Sequence, residues 1–569
     1  MLAKFRVNAP ELGVSSCRRV LFGFRSIGDF VGGCAMAFFR VETYSLDRFL
    51  FRNAVIPTPK RIVLRGRVVT MNASADVIAD GMICVEQDRI VHVGAWSGTP
   101  PYPFDTALVC NTGGTIYPGL IELHNHPAYN AIPMWSVPRH FDNRRAWRSN
   151  DNYRRRVSNP ANLLLYHPID TYPKAVVRFV ECRALLGGVT TTQGFLYKNG
   201  THQTSYFEGL VRNAEFPNKG WPVADGYIND FVSKKDAADH LIPALGKHQP
   251  YIIHLTEGID AVTRALFDYL QQPDGSWLIA PELITIHATA LQSREFRILA
   301  QNNCGGVLWS PLSNFLLYGS TTRIDLAKHE NLNIAIGCDW APSGTKNLLG
   351  ELKIAKLVSD KAGGLFTDHE LAAAVTSNPA RMLGWDNAVG TIEPNKTADL
   401  LVLDSTQNDP YLNLISADES NVIAVLIDGR PRAGRATLID PRTPGVELVT
   451  VAGQNMVLDV VESAQHPLAG VTLGSATATL TDALARLPDV ARQAQILAPL
   501  MKDAPDQWRP IPDYDDAMIR SQLFVAASLP GPNDVDPMAL EGITAVDDAG
   551  FIPRIRSNVN VPQWLKDAL

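Results

Sequence analysis

Eight short apolar runs constrain what this chain can fold into more than anything else in it. They lie at 120–123, 190–195, 210–216, 223–228, 251–255, 283–286, 306–309 and 332–336. Helix-like runs at 175–186, 261–270 and 293–301 fall between several of them. Alternation of β and α across residues 116–384 predicts an α/β fold, a (β/α)8 TIM barrel. In that fold the active site sits at the C-terminal ends of the strands, so those ends are where functional side chains are sought.

Both flanks of this region read as β-structure. Arg61-Ile-Val-Leu-Arg-Gly-Arg-Val-Val-Thr70 is rich in β-branched residues, and 81–94 repeats that texture around a Gln87-Asp88-Arg89 turn. A matching set lies downstream at 399–404, 422–429 and 436–440. The expectation is one small β-sandwich domain built from residues 56–115 together with 385–455. Residues 456–569 form a C-terminal extension, helical at 480–487 and 490–501, with a Pro- and Asp-rich tail that holds no catalytic motif. Residues 1–55 read as an appended, poorly ordered extension. Arg25 and Asp29 interrupt its apolar stretch, which is too broken for a membrane span of about 20 apolar residues.

Composition excludes some classes of function. A net charge of −6 argues against a general nucleic-acid binder, whose footprint would be basic. The seven cysteines are scattered and include no Cys-x-x-Cys, which points to reduced thiols and a cytoplasmic setting.

The chemistry gathers at the strand ends. The first run ends in His124-Asn-His126, and residues i and i+2 of a strand share a face, so the two imidazoles project together. A His pair of that kind can clamp a divalent cation. Alone it is a weak signal. However, the run at 251–255 carries His254 with Glu257 three residues later, the run at 283–286 is followed by His287, and the eighth run leads to Asp339. Ligand-type residues at four strand ends in barrel order are hard to explain as satisfied core polars.

These motifs resemble the amidohydrolase superfamily, in particular the branch of cytosine and guanine deaminases and triazine hydrolases. Pro118-Gly-Leu-Ile-Glu-Leu-His-Asn-His126 resembles its first-strand signature and Gly188-Val-Thr-Thr-Thr192 its second strand. His254-x-x-Glu257, Ser310-Pro-Leu-Ser-Asn314, Ser377-Asn-Pro-Ala-Arg-Met-Leu-Gly384 and the stretch 390–404 add to the likeness, which spans about 60–440. Asn395 and Thr397 depart from the usual pattern, within the β-domain. The resemblance implies one divalent metal ion, zinc first and iron(II) second, on His124, His126 and His254, with Asp339 as a further ligand or partner of the activated water. Binuclear members carry a lysine or glutamate at the fourth strand, and the stretch around Val223 offers no lysine. The implied roles are Asp339 as base toward the water, Glu257 as proton shuttle to substrate and leaving group, and His287 as a polarising or orienting group.

The expected activity is hydrolytic deamination of a cyclic or heteroaromatic small molecule. The alternatives are an amide, lactam or guanidine hydrolase on the same site, and a non-catalytic binding or assembly barrel. The presence of Glu257, His287 and Asp339 together counts against the last. The loop after the first strand crowds Tyr129, Trp135, Arg139, His140, Arg144, Arg145, Trp147 and Arg148 into a short span. Tyr129 and Trp135 are candidates to stack on a flat substrate while Arg139 pairs with an anionic group, and the other reading is a subunit contact or solvated face. Asn314 and His202 are further pocket candidates, and the favoured reading of His202 is a loop residue with no role. Family likeness implies a homo-oligomer acting on a small molecule, with neither nucleic acid nor membrane as partner.

Overall fold

A computed structural model of the protein describes residues 61–193, 209–217, 219–439, 441–443, 445–463, 466–498 and 529–569. The extension at 1–55 and His202 therefore lie outside the described residues, as do 194–195 of the second expected strand and 499–501 of the last expected helix.

The first flank contributes β1 (Arg61–Val69), β2 (Val77–Glu86), β3 (Arg89–Ala95) and β4 (Leu108–Pro118). Eight central strands follow: β5 (Leu120–Glu122), β6 (Val189–Thr192), β7 (Arg212–Asn213), β8 (Asp225–Tyr227), β9 (Tyr251–Leu255), β10 (Leu283–His287), β11 (Gly306–Trp309) and β12 (Ile334–Ile336). The second flank adds β13 (Leu400–Leu403), β14 (Val422–Ile427), β15 (Arg430–Arg435), β16 (Glu447–Val451) and β17 (Gln454–Leu458).

The flanks meet in one nine-stranded sheet, in the order β16-β17-β15-β14-β13-β4-β1-β2-β3. The seam is the antiparallel pairing of β4 with β13, Tyr117 opposite Leu401. Ile62, Leu64, Val68, Ile83, Leu400, Val402 and Leu426 share a buried apolar core on this sheet. The strand expected at 436–440 is not formed among its described residues, since 436–438 are turns. Asp428 and Gly429 both take positive φ (53° and 69°), the two-residue turn whose twist suits a hairpin, so the chain reverses at once and β15 pairs β14. β4 also runs on to Pro118, past the expected domain boundary at 115.

The central strands form two parallel groups, β5-β6-β7 and β8-β9-β10-β11-β12. Two sets of main-chain bonds link the groups. The Ala224 N–H donates to the Ala214 carbonyl (3.0 Å) beside β7 and β8. Beyond β12, Asp339 N–H donates to the His124 carbonyl (2.9 Å), and His126 N–H donates to the Asp339 carbonyl (2.7 Å). Alternate residues go to opposite sides, as the period of a strand requires. Ile121, Ile252, Ile284, Ile286, Leu308 and Ala335 share one core, whereas Leu120, Ile253, Leu283, Val307 and Ile334 share another with the flanking helices. Strands covered on both sides in this way read as short uniform apolar runs.

Helices Leu473–Ala485 and Leu487–Leu497 occupy the start of the C-terminal extension, and two short helices, Phe551–Ser557 and Gln563–Ala568, end it. The first begins ahead of the expected 480 because Thr472 and Ser475 form a capping box there. Among the described residues no helix is long and apolar enough to cross a membrane.

Candidate active site

The sequence-predicted residues converge at or just past the ends of β5, β9, β10 and β12. His124, His126, His254, Glu257, His287 and Asp339 are all buried. The His124 ring centroid lies 5.3 Å from that of His126, 5.2 Å from His254 and 4.6 Å from His287. Asp339 Oδ1 is 3.3 Å from Nε2 of both His124 and His126. The chain leaves its strands there in an unusual conformation: Thr256, His287, Ala288 and Asp339 have φ of 50°, 63°, 52° and 65°. Such backbone costs about 1–3 kcal/mol per residue and persists where its surroundings over-determine it.

Those surroundings are largely one helix, Pro311–Tyr318, and the residue before it. Ser310 Oγ pairs with His124 Nδ1 at 2.6 Å, which turns Nε2 toward Asp339. The Ser313 hydroxyl donates to Asp339 Oδ2 at 2.6 Å. Asn314 lies 3.1 Å through Oδ1 from His287 Nδ1, while its amide nitrogen donates to the Thr321 and Thr322 hydroxyls. That fixes the amide so that Oδ1 accepts, and the His287 Nδ1–H donates to it. The remaining nitrogen, Nε2, carries the lone pair and stands 3.7 Å from Glu257 Oε2 and 3.8 Å from Asp339 Oδ2. At the far end of the same helix the Tyr318 hydroxyl donates to Glu257 Oε1 (2.6 Å) and accepts from Trp147 Nε1 (2.7 Å). The Arg144 guanidinium lies 3.6 Å from Glu257 Oε2.

The electrostatics suit a cation. Burial first, then neighbouring positive charge, holds His124 and His254 well below the ordinary histidine range, and burial brings His287 down to about 4. Three neutral imidazoles thus face the centre. Burial also pushes the Asp339 carboxyl well above its ordinary range, a shift that a nearby cation would reverse. His124 Nε2, both ring nitrogens of His254 and Asp339 Oδ1 are buried without a hydrogen-bond partner among the described residues. Donor atoms of His124, His126 and Asp339 lie within 4.8 Å of one another, as do those of His124, His254 and His287. Buried polar atoms left this way are costly unless something binds them, and an N/O set of this kind fits a divalent ion.

The expected substrate contacts are placed differently. Arg139 is exposed and lies over the Phe141 ring (4.8 Å) instead of reaching the centre. Trp135 is buried, stacked on Phe141, and its indole N–H donates to Asn152. Tyr129 is buried edge-on against Trp340 (5.1 Å). Asn314 spends Oδ1 on His287 and its amide nitrogen on the Thr321 and Thr322 hydroxyls. The inward arginine is Arg144, at the start of helix Arg144–Arg148, whose N-cap Asn143 accepts from the Ala146 N–H. Arg144 and Trp147, three apart, share the buried face. That cap and spacing were the available signal. Ser310, Ser313 and Tyr318 were not assigned from sequence, although the first two stand inside the quoted Ser-Pro-Leu-Ser-Asn motif.

Glu351 fastens the same helix start, accepting from the Leu312 N–H (2.8 Å) and the Thr345 hydroxyl (2.6 Å). Burial pushes its carboxyl up from 4.5 to about 7. The folded value lies above the unfolded one, so the native state holds an extra proton between them. Stability from this group is present below the unfolded value and lost as pH rises through the folded one. Glu351→Gln is expected to flatten the loss of stability between about pH 5 and 8. Urea unfolding at both pH values checks it, and an equal decrement in variant and wild type would refute it.

Known proteins resemble this chain in sequence and in fold. A 5-methylthioadenosine/S-adenosylhomocysteine deaminase of Symbiobacterium thermophilum is 23% identical over 418 residues, covering 65% of this chain and 93% of the relative. Among solved structures, an adenosine deaminase from Xanthomonas campestris with bound zinc matches with a TM-score of 0.53 at 19% identity, over 68% of this chain and 95% of that one. The guanine deaminase of E. coli matches with a TM-score of 0.51 at 17% identity, over 65% and 98%. At such identities the structural likeness is one of fold. The amidohydrolase family profile matches residues 115–432, more than half of the sequence, and the chain belongs to that family.

Proposed function

We propose that this chain hydrolyses an exocyclic C–N bond of a small heteroaromatic ring and releases ammonia. The observation that carries the reading is the single buried centre in which four imidazoles and two carboxylates from separate strand ends face one another. Relatives named for 5-methylthioadenosine, S-adenosylhomocysteine, adenosine and guanine support a purine-like ring as substrate. His124, His126, His254 and Asp339 would hold one divalent cation, zinc before iron(II). The zinc in the Xanthomonas campestris structure supports that order. When bound, such a cation lowers the pKa of water toward about 7 and so makes hydroxide available at neutral pH.

The side chains divide the remaining work. Asp339, its Oδ2 held by Ser313, takes the proton of the attacking water. Glu257, its Oε1 held by Tyr318, gives a proton to the ring nitrogen, recovers one from the hydroxyl of the adduct as the carbonyl forms, and passes that one to the amino group, which departs as ammonia; the proton held by Asp339 then restores Glu257. His287 is neutral at pH 7 and presents Nε2 between the two carboxylates, where it orients the water. Tyr129 and Trp135 shape the aromatic wall behind Trp340, and Arg144 takes the place expected of Arg139.

The links from β7 to β8 and from β12 back to β5 support closure of the eight strands into a (β/α)8 barrel. Residues 116–384 then form the catalytic barrel, 56–115 with 385–455 a β-sandwich made by the nine-stranded sheet folding on itself, and 456–569 the C-terminal extension. Cys84, Cys110, Cys182, Cys304 and Cys338 are buried free thiols, which supports a cytoplasmic setting. A homo-oligomer completes the proposal.

Elemental analysis paired with ammonia release from a panel of amino-substituted purines and pyrimidines tests the reading. One equivalent of zinc is expected, with activity abolished by a chelator and restored by zinc. Two equivalents would shift the reading toward amide or lactam hydrolysis. No bound metal, under conditions that do not strip it, would sink the mechanism.

A further inference from the structure

We infer that residues 529–569 form a strap that positions the catalytic side chains, with Asn560 and Lys346 as positioning residues; this rests on the metal-site reading above. The strap lies beyond the family match, which ends at 432. It nonetheless grips three segments that carry or cover the centre.

The first grip is on the helix Pro311–Tyr318. The Asn560 side-chain amide donates to the carbonyls of Leu316 (2.9 Å) and Leu317 (3.4 Å) at the end of that helix, and to the Arg139 carbonyl (3.1 Å) in the loop after β5. The second is on the segment following Asp339. There Lys346 has a side chain with 0% exposure, and its Nζ donates to Asp548 (2.7 Å), Glu541 (3.4 Å) and the Gly542 carbonyl. The third is again on the loop after β5, where Glu541 Oε1 accepts the Met134 N–H at 3.0 Å. Beneath these bonds Phe551, Ile555, Val561 and Leu565 of the strap share an apolar core with Met134, Leu312, Phe315 and Leu316.

The consequence for the centre follows from the helix. Ser310, Ser313 and Asn314 at its start hold His124, Asp339 and His287. A shift of the helix moves all three partners together, so three groups lose their orientation at once. Groups that orient metal-ligating side chains typically change metal affinity by about 10–100-fold when removed.

The test uses Asn560→Ala and Lys346→Met in the full chain, with Arg556→Ala as control. Arg556 bonds the Lys566 carbonyl within the strap and touches no site segment by that bond. Three quantities are measured: amide hydrogen exchange of residues 312–318 in metal-free protein, zinc affinity by competition with a chromophoric chelator, and kcat with KM. Asn560→Ala is expected to speed exchange there about tenfold, weaken zinc binding about tenfold and lower kcat with KM held, while the control changes none of these. Lys346→Met is expected to do the same. Exchange and zinc affinity in both variants equal to the control would overturn the proposal and leave the strap merely stabilising. A wild type that takes no zinc overturns the metal reading alone, because exchange in metal-free protein decides the strap by itself.

Discussion

Asp339→Asn is expected to lower kcat about 10³-fold or more and to weaken zinc binding. The size follows from two losses in one substitution. General-base groups contribute about 10²–10⁴-fold. Asp339 also supplies the carboxylate oxygen 3.3 Å from both His124 Nε2 and His126 Nε2, and Asn offers a neutral amide there instead. The fold should survive. Both main-chain bonds that tie Asp339 to His124 and His126 use its peptide group, and Asn tolerates the left-handed backbone that φ of 65° requires. Unfolding midpoint, zinc stoichiometry and kcat are measured together, at zinc concentrations that saturate the variant. Full recovery of kcat in excess zinc would make Asp339 a ligand and nothing more. A kcat within threefold of wild type without added zinc would remove it from the mechanism.

How much of this was legible beforehand depended on the range of the contacts. The strand ends were readable because a ligand-type residue closing an apolar run is a local pattern: His254, His287 and Asp339 announce themselves that way. The Ser-Pro-Leu-Ser-Asn motif was readable as a motif, but its use was not. Ser310 holds a residue 186 positions away, and nothing local in the sequence names that partner. Which arginine faces inward was not legible for a different reason. Composition put several arginines in the loop after β5, and only the turn set by the Asn143 cap decides that Arg144 faces inward while Arg139 does not. The missed β15 shows the same weakness at shorter range, since the Asp428-Gly429 turn fixes which residues pair and apolar texture does not. The role of the C-terminal residues was illegible because Asn560 acts through main-chain carbonyls more than 200 positions away, and Glu541 through the equally distant Met134 N–H and the Lys346 ammonium.

Glu257→Gln separates proton transfer from metal binding. Glu257 is buried, with Oε1 held by Tyr318 and Oε2 toward Arg144 and His287. Gln has the same shape and keeps an oxygen to accept the Tyr318 hydroxyl, but it cannot carry a proton between ring nitrogen and leaving group. A fall in kcat of about 10²–10⁴-fold with zinc content unchanged is therefore expected. KM should move little, because the lost interaction is made in the transition state and not on binding. Stability should fall too. Removing one partner of a buried ion pair costs about 3–5 kcal/mol, and Arg144 would face a neutral amide. The kinetics accordingly belong well below the variant's unfolding midpoint. Tyr318→Phe resolves what remains: it leaves the Glu257 carboxylate in place and removes the donor that fixes it, together with the acceptor of the Trp147 N–H. If Glu257 moves the proton, Tyr318→Phe should lower kcat far less than Glu257→Gln does. Equal losses in the two would mean that the side-chain network, and not the carboxylate, sets the rate. A Glu257→Gln enzyme with zinc bound and kcat within threefold of wild type would assign the proton transfer elsewhere.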